Sequence, residues 1–349
     1  MFKKIIDAVD RRIELLDLFR QNLSEYYVPA GLNFWYSMGA VLIVIFCLEI
    51  ATGILLLMYY VPHTREAFAS VNHISGAVPF GWFIRRIHAI GANMFILVLF
   101  LHMFSVLIMS SYKKPREIHW VLGCFIFGTA LATCLFGYLL PWSQLSYWAT
   151  TVATSFPGSI PIIGDYLVHF MRGSPSVTQV TLGRFFAMHV SLIPFLLLVL
   201  IAIHVFVMRR TGISTPPWTD GTKKIPFYPH FVVEDLKVIY FFLAILFAFV
   251  FFYPQISFPP DALEPANPLL TPERIKPEWY FLANYQMLKL VPNELIGIVL
   301  QGAIAGLLLL LPFIDKGEER RFFKRPIFAT AVIFGIIAFI VLTIWGYYS

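Results

Sequence analysis

Charged residues are scarce in this chain of 349 residues: Asp, Glu, Lys and Arg make up 13% of it, against 58% hydrophobic. So little charge cannot cover a soluble globule of this size, and the composition is that of an integral membrane protein. Cysteine is scarcer still. Cys47, Cys124 and Cys134 all fall inside apolar runs, with no Cys-x-x-Cys and no Cys-x-x-Cys-His. That excludes a metal knuckle, a c-type haem attachment and a disulfide framework. The start of the chain lacks a short apolar region with a cleavage site, so no cleaved signal peptide is expected. The net charge is +6, but the basic residues lie in loops and ends, which argues against a nucleic-acid partner.

What the chain does have is long apolar runs. Seven spans are expected, at roughly 34–61, 83–110, 118–140, 185–208, 236–254, 292–313 and 326–347. An odd number puts the two ends on opposite faces. The N-terminus and the loops after spans two, four and six hold 18 of the 26 Lys and Arg residues. The N-terminus is therefore cytoplasmic, or on the matrix or stromal side in an organelle, and the C-terminus is on the outer side; a multi-pass protein of the cell inner (plasma) membrane is expected. Before the first span, residues 2–22 read as an amphipathic helix: Ile5, Ile6, Val9, Ile13, Leu16 and Phe19 form an apolar stripe among Lys3, Lys4, Arg11, Arg12 and Arg20.

Two spans carry histidine pairs. His88 and His102 are fourteen residues apart, and His189 and His204 fifteen. Along a helix those spacings give about 21 Å and about 22 Å, with angular offsets of about 40° and, in the other sense, about 60°. Each helix thus offers one imidazole near either edge of a ~30 Å hydrocarbon core. Spans two and four both run inward, so His88 is expected to pair with His189 near the outer face and His102 with His204 near the inner face. A lone histidine in an apolar helix is usually a packing residue. Two matched pairs point instead to two stacked planar cofactors, and haem iron accepts axial histidine.

Spans one and three repeat the spacing with glycine: Gly39 and Gly53, Gly123 and Gly137. A residue without a side chain lets a cofactor plane press against the backbone, although small residues also serve ordinary helix packing in membranes. Pro194 is expected to kink the fourth span and so absorb its longer spacing. Arg85 and Arg184, just outward of His88 and His189, suit haem propionates, against the alternative of snorkelling to headgroups. Outside the membrane, 141–183 is too long for a connector, and Ser143–Ser155 and Ile162–Met171 read as two short helices forming a lid. The segment 254–291 holds seven prolines and leads to Pro277, Glu278, Trp279 and Tyr280. A carboxylate among aromatics at the membrane surface can take protons from a bound ligand.

Taken together, the histidine pairs, the glycine pairs, Gly137-Tyr138-Leu139-Leu140-Pro141-Trp142 and Ile275-Lys276-Pro277-Glu278-Trp279-Tyr280 resemble cytochrome b, the haem subunit of the bc1 and b6f quinol oxidoreductase complexes. The resemblance covers nearly the whole chain. The fifteen-residue spacing and the seven spans are similar to the b6 branch, where the haem part and the C-terminal part are often separate chains; here they are joined through about 211–235. The implied fold is all-α and membrane-integral: a surface segment (1–33), a four-helix bundle holding two b haems (34–213, with the lid at 141–183) and three further helices (214–349).

The implied function is a quinol cycle. Quinol is oxidised at the outer face between the lid and Pro277–Tyr280, with Glu278 accepting a proton. One electron goes to a Rieske iron–sulfur partner and onward to a c-type cytochrome subunit. The other crosses by the outer and then the inner haem to reduce quinone near Arg209 and Asp235. Relatives form homodimers embedded in membrane lipid. Two positions depart from the pattern. Photosynthetic and heliobacterial relatives tether a third haem through a cysteine where this chain has Ser37, so no covalent third haem is expected. Relatives tend to carry glutamine where this chain has Glu49, which points toward the outer haem and is expected to be protonated or hydrogen-bonded there and to tune it. The rival readings are a four-helix di-haem anchor of a dehydrogenase, against which the 254–291 segment and three extra spans argue, and a transporter with structural histidines.

Overall fold

The computed structural model describes residues 10, 12, 14, 16, 17, 20–273 and 275–349. The expected amphipathic helix over 2–22 falls largely outside the described residues. Among them, the α-helices are α1 Met38–Leu57, α2 Ala67–Gly76, α3 Gly81–Ile108, α4 Glu117–Tyr138, α5 Gln144–Ser155, α6 Gly164–Arg172, α7 Gln179–Ala187, α8 Ile193–Thr211, α9 Val232–Phe252, α10 Trp279–Leu290, α11 Glu294–Ile314 and α12 Pro326–Tyr348. Seven segments are long and apolar enough to cross a membrane: Phe34–Leu57, Gly81–Ile108, Glu117–Tyr138, Gln179–Thr211, Phe227–Phe252, Glu294–Ile314 and Pro326–Tyr348. They coincide with the seven expected spans. Two helices were not expected: α2, and α10 within what reads from its prolines as loop.

The fourth span is continuous from α7 to α8 through one π-helical turn at Met188–Leu192. That turn, immediately before Pro194, contains His189. Proline at the second position of α8 leaves a backbone carbonyl upstream without its donor, and widening the preceding turn is one way a helix continues through such a point. α8 then ends where Gly212 takes φ 74°, beside Arg209 and Arg210, whose charges suit a helix C-terminus.

Hydrophobic transfer does not drive helices together inside a bilayer, so close packing and polar ties must. α1 packs along α3 and α4 along α8, while α9 lies against both α1 and α3. Val41, Ile45, Ile96, Val98, Leu246 and Val250 are buried in one shared core. The C-terminal helices therefore wrap the four-helix bundle rather than stand apart from it. Trp120 Nε1 on α4 donates to Leu308 O on α11 at 2.7 Å, and Trp279 Nε1 on α10 to Asn93 Oδ1 on α3 at 2.9 Å.

Both faces are knitted. On one face Arg172, buried, donates to Thr154 Oγ1 (2.6 Å), Thr151 O (2.7 Å) and Pro175 O (2.9 Å), which clamps α6 onto α5. The start of α5 is fastened to the proline-rich segment: Gln144 Nε2 donates to Leu270 O at 3.0 Å and its Oε1 accepts from Asn267 N at 2.6 Å. On the opposite face Asp315, after α11, accepts from Lys113 Nζ at 2.9 Å and also meets Tyr112 and Arg325. A two-stranded antiparallel ladder, β1 Tyr27–Pro29 with β2 Lys224–Pro226, holds the start of the chain to the connector before α9.

Candidate functional site

The paired helices bring each glycine against one histidine. A Cβ on Gly53 would lie 3.3 Å from His88 Cε1, on Gly39 3.8 Å from His102 Cε1, on Gly123 3.5 Å from His204 Cε1 and on Gly137 2.7 Å from His189 Nδ1. Fourteen residues of α4 therefore match fifteen of the fourth span. The extra residue is taken up by the π turn, so the kink expected at Pro194 is found as a change of helical pitch just before it.

In the outer layer His88 and His189 face one another with ring centroids 6.1 Å apart and planes at 89°. Two imidazoles on opposite sides of one metal, each bonded at about 2.0 Å, have centroids roughly 6 Å apart. Both Nδ1 atoms are engaged: His88 Nδ1 lies 3.1 Å from Thr52 Oγ1 and from Glu49 Oε2, and His189 Nδ1 donates to Thr133 O at 2.9 Å. An imidazole that gives its Nδ1–H away keeps the Nε2 lone pair for a metal. The outer pair thus fits bis-imidazole ligation of haem iron.

The inner layer holds three imidazoles. His102 and His204 both have a buried Nδ1 without a hydrogen bond, and the ring nearest His204 belongs to His119, Nε2 to Nε2 at 2.8 Å. His102 lies within electrostatic reach of both. His204 thus directs its Nε2 at His119, so the free Nε2 that fits haem ligation in the outer pair is not matched at His204. The sequence reading missed His119. Its signal was position: it precedes Gly123 by four residues, so it shares the α4 face that meets His204.

Arg85 Nη1 donates to Ser75 Oγ at 2.8 Å and its guanidinium lies 4.7 Å from the Phe258 ring centroid. Arg184 is turned toward α6, where Nη1 donates to Phe170 O at 2.6 Å. Pro277 and Glu278 immediately precede α10, with Glu278 at its N-cap, and Trp279 and Tyr280 begin it. Burial pushes the Glu278 carboxyl up to about 7, which suits a group exchanging protons near neutrality. Tyr138 and Cys134 on α4 lie within electrostatic reach of Glu278, and Cys134 shares a hydrogen bond with Tyr280. Neither has a role at this site from the sequence alone: Cys134 looks like span filler, and Tyr138 entered only as part of the Gly137–Trp142 motif.

On the side of the Asp315 cluster, Tyr36 Oη, Ser37 Oγ and Asp235 Oδ1 are buried, with Tyr36 beside Ser111 and Asp235 beside Ser37. Arg209 is engaged elsewhere, donating to Asn22 O at 3.1 Å and covering the Tyr26 ring at 4.3 Å. The inner polar group is thus centred on Asp235, with Ser37 beside it, while Arg209 ties the end of α8 to the β-ladder.

Residues 23–212 match the cytochrome b/b6/petB family and residues 265–349 the cytochrome b (C-terminal)/b6/petD family. Cytochrome b of Allochromatium vinosum is 38% identical, covering 97% of this chain and 87% of its own length. That of Acanthamoeba castellanii is 40% identical, with 94% and 88% covered. In a solved hyperthermophilic respiratory complex III, one chain superposes with a TM-score of 0.93 at 39% identity, covering 98% of this chain and 91% of that one.

Proposed function

The chain belongs to the cytochrome b family, with the N-terminal and C-terminal parts on one polypeptide, and from that premise we propose how its own residues divide the work. It is the multi-pass electron-transfer subunit of a complex III-type quinol oxidoreductase, and so part of a multi-subunit complex.

His88 and His189 near the outer face would hold one b-type haem, and His102 and His204 near the inner face a second, neither with a covalent tether. When bound, they supply one-electron transfer across the membrane. The 6.1 Å opposition of the two outer rings, each with its Nδ1 occupied, is the observation that carries this reading. Gly39, Gly53, Gly123 and Gly137 leave room for the porphyrin. Arg85 is the better placed propionate partner; Arg184 keeps one nitrogen on the lid and offers the rest of its guanidinium. Ser37 cannot form a thioether, so no third haem is attached there.

Quinol is oxidised at the outer face, beside Pro277–Tyr280 and beneath the lid. Glu278 takes a proton from it, and Tyr280 and Trp279 wall the site. One electron leaves to a Rieske iron–sulfur protein and then a c-type cytochrome. The other is used to reduce quinone at the inner face, where Asp235 supplies a proton. The chain then contributes to proton translocation, with residues 34–213 as the di-haem unit and 214–349 completing the quinol site. The complex is a homodimer in the inner membrane, with its N-terminus cytoplasmic.

The test is a reduced-minus-oxidised optical spectrum of the purified complex. Two b-type signals are expected, the outer one lost in His189→Leu and the inner one in His204→Leu. A colourless preparation, as a transporter with structural histidines requires, would end the proposal. A preparation with both haems that does not oxidise quinol at the outer face would favour the di-haem anchor.

A further inference from the structure

α3 presents two distinct faces. His88 and His102 lie on one. Arg86, Asn93 and Phe100, spaced seven apart, form a stripe about 120–160° away from His88 around the helix. Each member of that stripe meets the C-terminal part of the chain. Arg86 Nη1 donates to Val250 O on α9 at 3.5 Å, and Asn93 Oδ1 accepts from Trp279 Nε1 on α10 at 2.9 Å. The Phe100 ring lies 6.0 Å from the Trp279 ring and 5.0 Å from the Phe339 ring on α12. One helix therefore stands between the outer histidine pair and the Pro277–Tyr280 segment, and touches both.

Asn93 is the polar residue of the stripe that lies near the midpoint of α3, Gly81–Ile108. A carboxamide at that depth is expensive unless its groups are paired. Here they are. Nδ2 donates to Ala89 O at 3.1 Å, within α3, and to Ser257 Oγ at 3.5 Å, in the segment after α9. Oδ1 is left to face the indole. An indole N–H can only donate, so the opposite orientation of the amide would set two donors against each other. The bond falls at the first residue of α10. Glu278 is the N-cap there, and Phe281 N donates to Glu278 O at 2.9 Å. Holding Trp279 therefore holds the turn that carries Glu278 and Tyr280.

We infer that Asn93 is a positioning residue for the outer quinol site: by latching the indole of Trp279 to the helix that bears His88, it keeps the Pro277–Tyr280 wall in the arrangement that receives quinol. The inference rests on reading that segment as the quinol site. Without its acceptor, the Trp279 N–H is left unpaired in an apolar setting, and the ring is free to enter other rotamers. Only the molecules with the wall in place then bind quinol. Apparent affinity falls by that fraction, while a quinol already bound reacts as before. Loss of one such hydrogen bond corresponds to about tenfold in an equilibrium of this kind.

The experiment is steady-state oxidation of a short-chain quinol by the purified complex, with rates normalised to the two b-haem signals. In Asn93→Leu, KM should rise about tenfold while kcat stays within about twofold, the pattern of lost binding rather than lost chemistry. Both optical signals should keep their positions. Trp279→Phe keeps a ring but has no N–H, and should raise KM as well. The double variant should raise it no further than the larger single one, because both changes remove the same bond. Asn93→Ser is small and polar and cannot span the gap to Trp279; it carries the test if Asn93→Leu fails to assemble. An unchanged KM in the Asn93 variant, a fall in kcat alone, or KM factors that multiply in the double variant would overturn the inference while leaving the quinol site standing. A wild-type complex that shows both b signals but oxidises no quinol would instead remove the reading beneath it.

Discussion

Glu278 offers the sharpest test of the outer site, because its burial predicts a pH profile as well as a loss. With the carboxyl held up to about 7, the ionised fraction available to take a proton is roughly one-tenth at pH 6 and nine-tenths at pH 8. At saturating quinol, the rate of the wild-type complex should therefore climb nearly tenfold over that interval. Glu278→Gln keeps the size of the side chain and removes the base. It should abolish the acid limb and lower the rate by about 10²–10⁴, the range for a lost general base. Unfolding is separable from this. A carboxyl whose folded value lies above its unfolded one contributes stability fully present below the unfolded value of 4.5, and that contribution is lost as pH rises through about 7. The glutamine variant should therefore melt no lower than wild type at pH 8. The assay is quinol-dependent reduction of a soluble acceptor, normalised to the two b-haem signals. A variant that keeps the acid limb, or the full rate, would refute the assignment.

Three further outcomes follow from the packing. A methyl at Gly137 meets His189 Nδ1 at 2.7 Å, whereas one at Gly39 makes ordinary contact with His102 at 3.8 Å. Gly137→Ala should lose the outer haem signal at an overpacking cost of about 1–3 kcal/mol, while Gly39→Ala keeps both signals, measured as haem per chain. Asp315→Asn leaves Lys113 and Arg325 facing one another without their shared carboxylate. It should lower Tm, with a loss of about 3–5 kcal/mol. Burial raises the Asp315 carboxyl, but hydrogen bonds from Tyr112 and Lys113 and the charge of Arg325 outweigh it and hold it below 3.8. The stability it contributes is present above 3.8 and should be lost as pH falls through the depressed value, a loss the variant lacks. Arg172→Ala removes three hydrogen bonds that clamp α6 to α5, and should expose the turn between them to limited proteolysis at rates at least tenfold above wild type.

What could be seen in the sequence was what repeats or runs long. The seven spans were legible because hydrocarbon length imposes a minimum run of apolar residues, and the structure places all seven where composition put them. The four histidines were legible because fourteen- and fifteen-residue spacings return to nearly the same helix face. α10 was hidden: Pro272 and Pro277 read as loop, yet Trp279–Leu290 is helical because both prolines lie before its first turn, where a missing N–H costs nothing. His119, Cys134 and Tyr138 were hidden for another reason. Each acquires its meaning from a neighbour more than eighty residues away in sequence, or from a segment beyond the next loop, and a single chain gives no periodicity from which to read such a pairing.

The unequal spacing of the two histidine pairs shows where sequence arithmetic stops. At 100° per residue, fifteen residues swing His204 out of line with His189, and the sequence supplies only Pro194 as a reason to disregard this. The glycines settle the matter from the neighbouring helix. Gly123 and Gly137, fourteen apart on α4, still face His204 and His189, so the fourth span must gain one residue without gaining one position. A π turn does that, and it lies at Met188–Leu192, around the outer ligand itself. Deleting one residue of that turn beyond His189, such as Ser191, should restore an α-helical ladder in which fourteen residues separate the two histidines, as fourteen separate Gly123 and Gly137 on α4. His189 and His204 should therefore still face their glycines, and both b-type signals should survive. A deletion variant that loses the outer signal would mean that the turn does not store the extra residue.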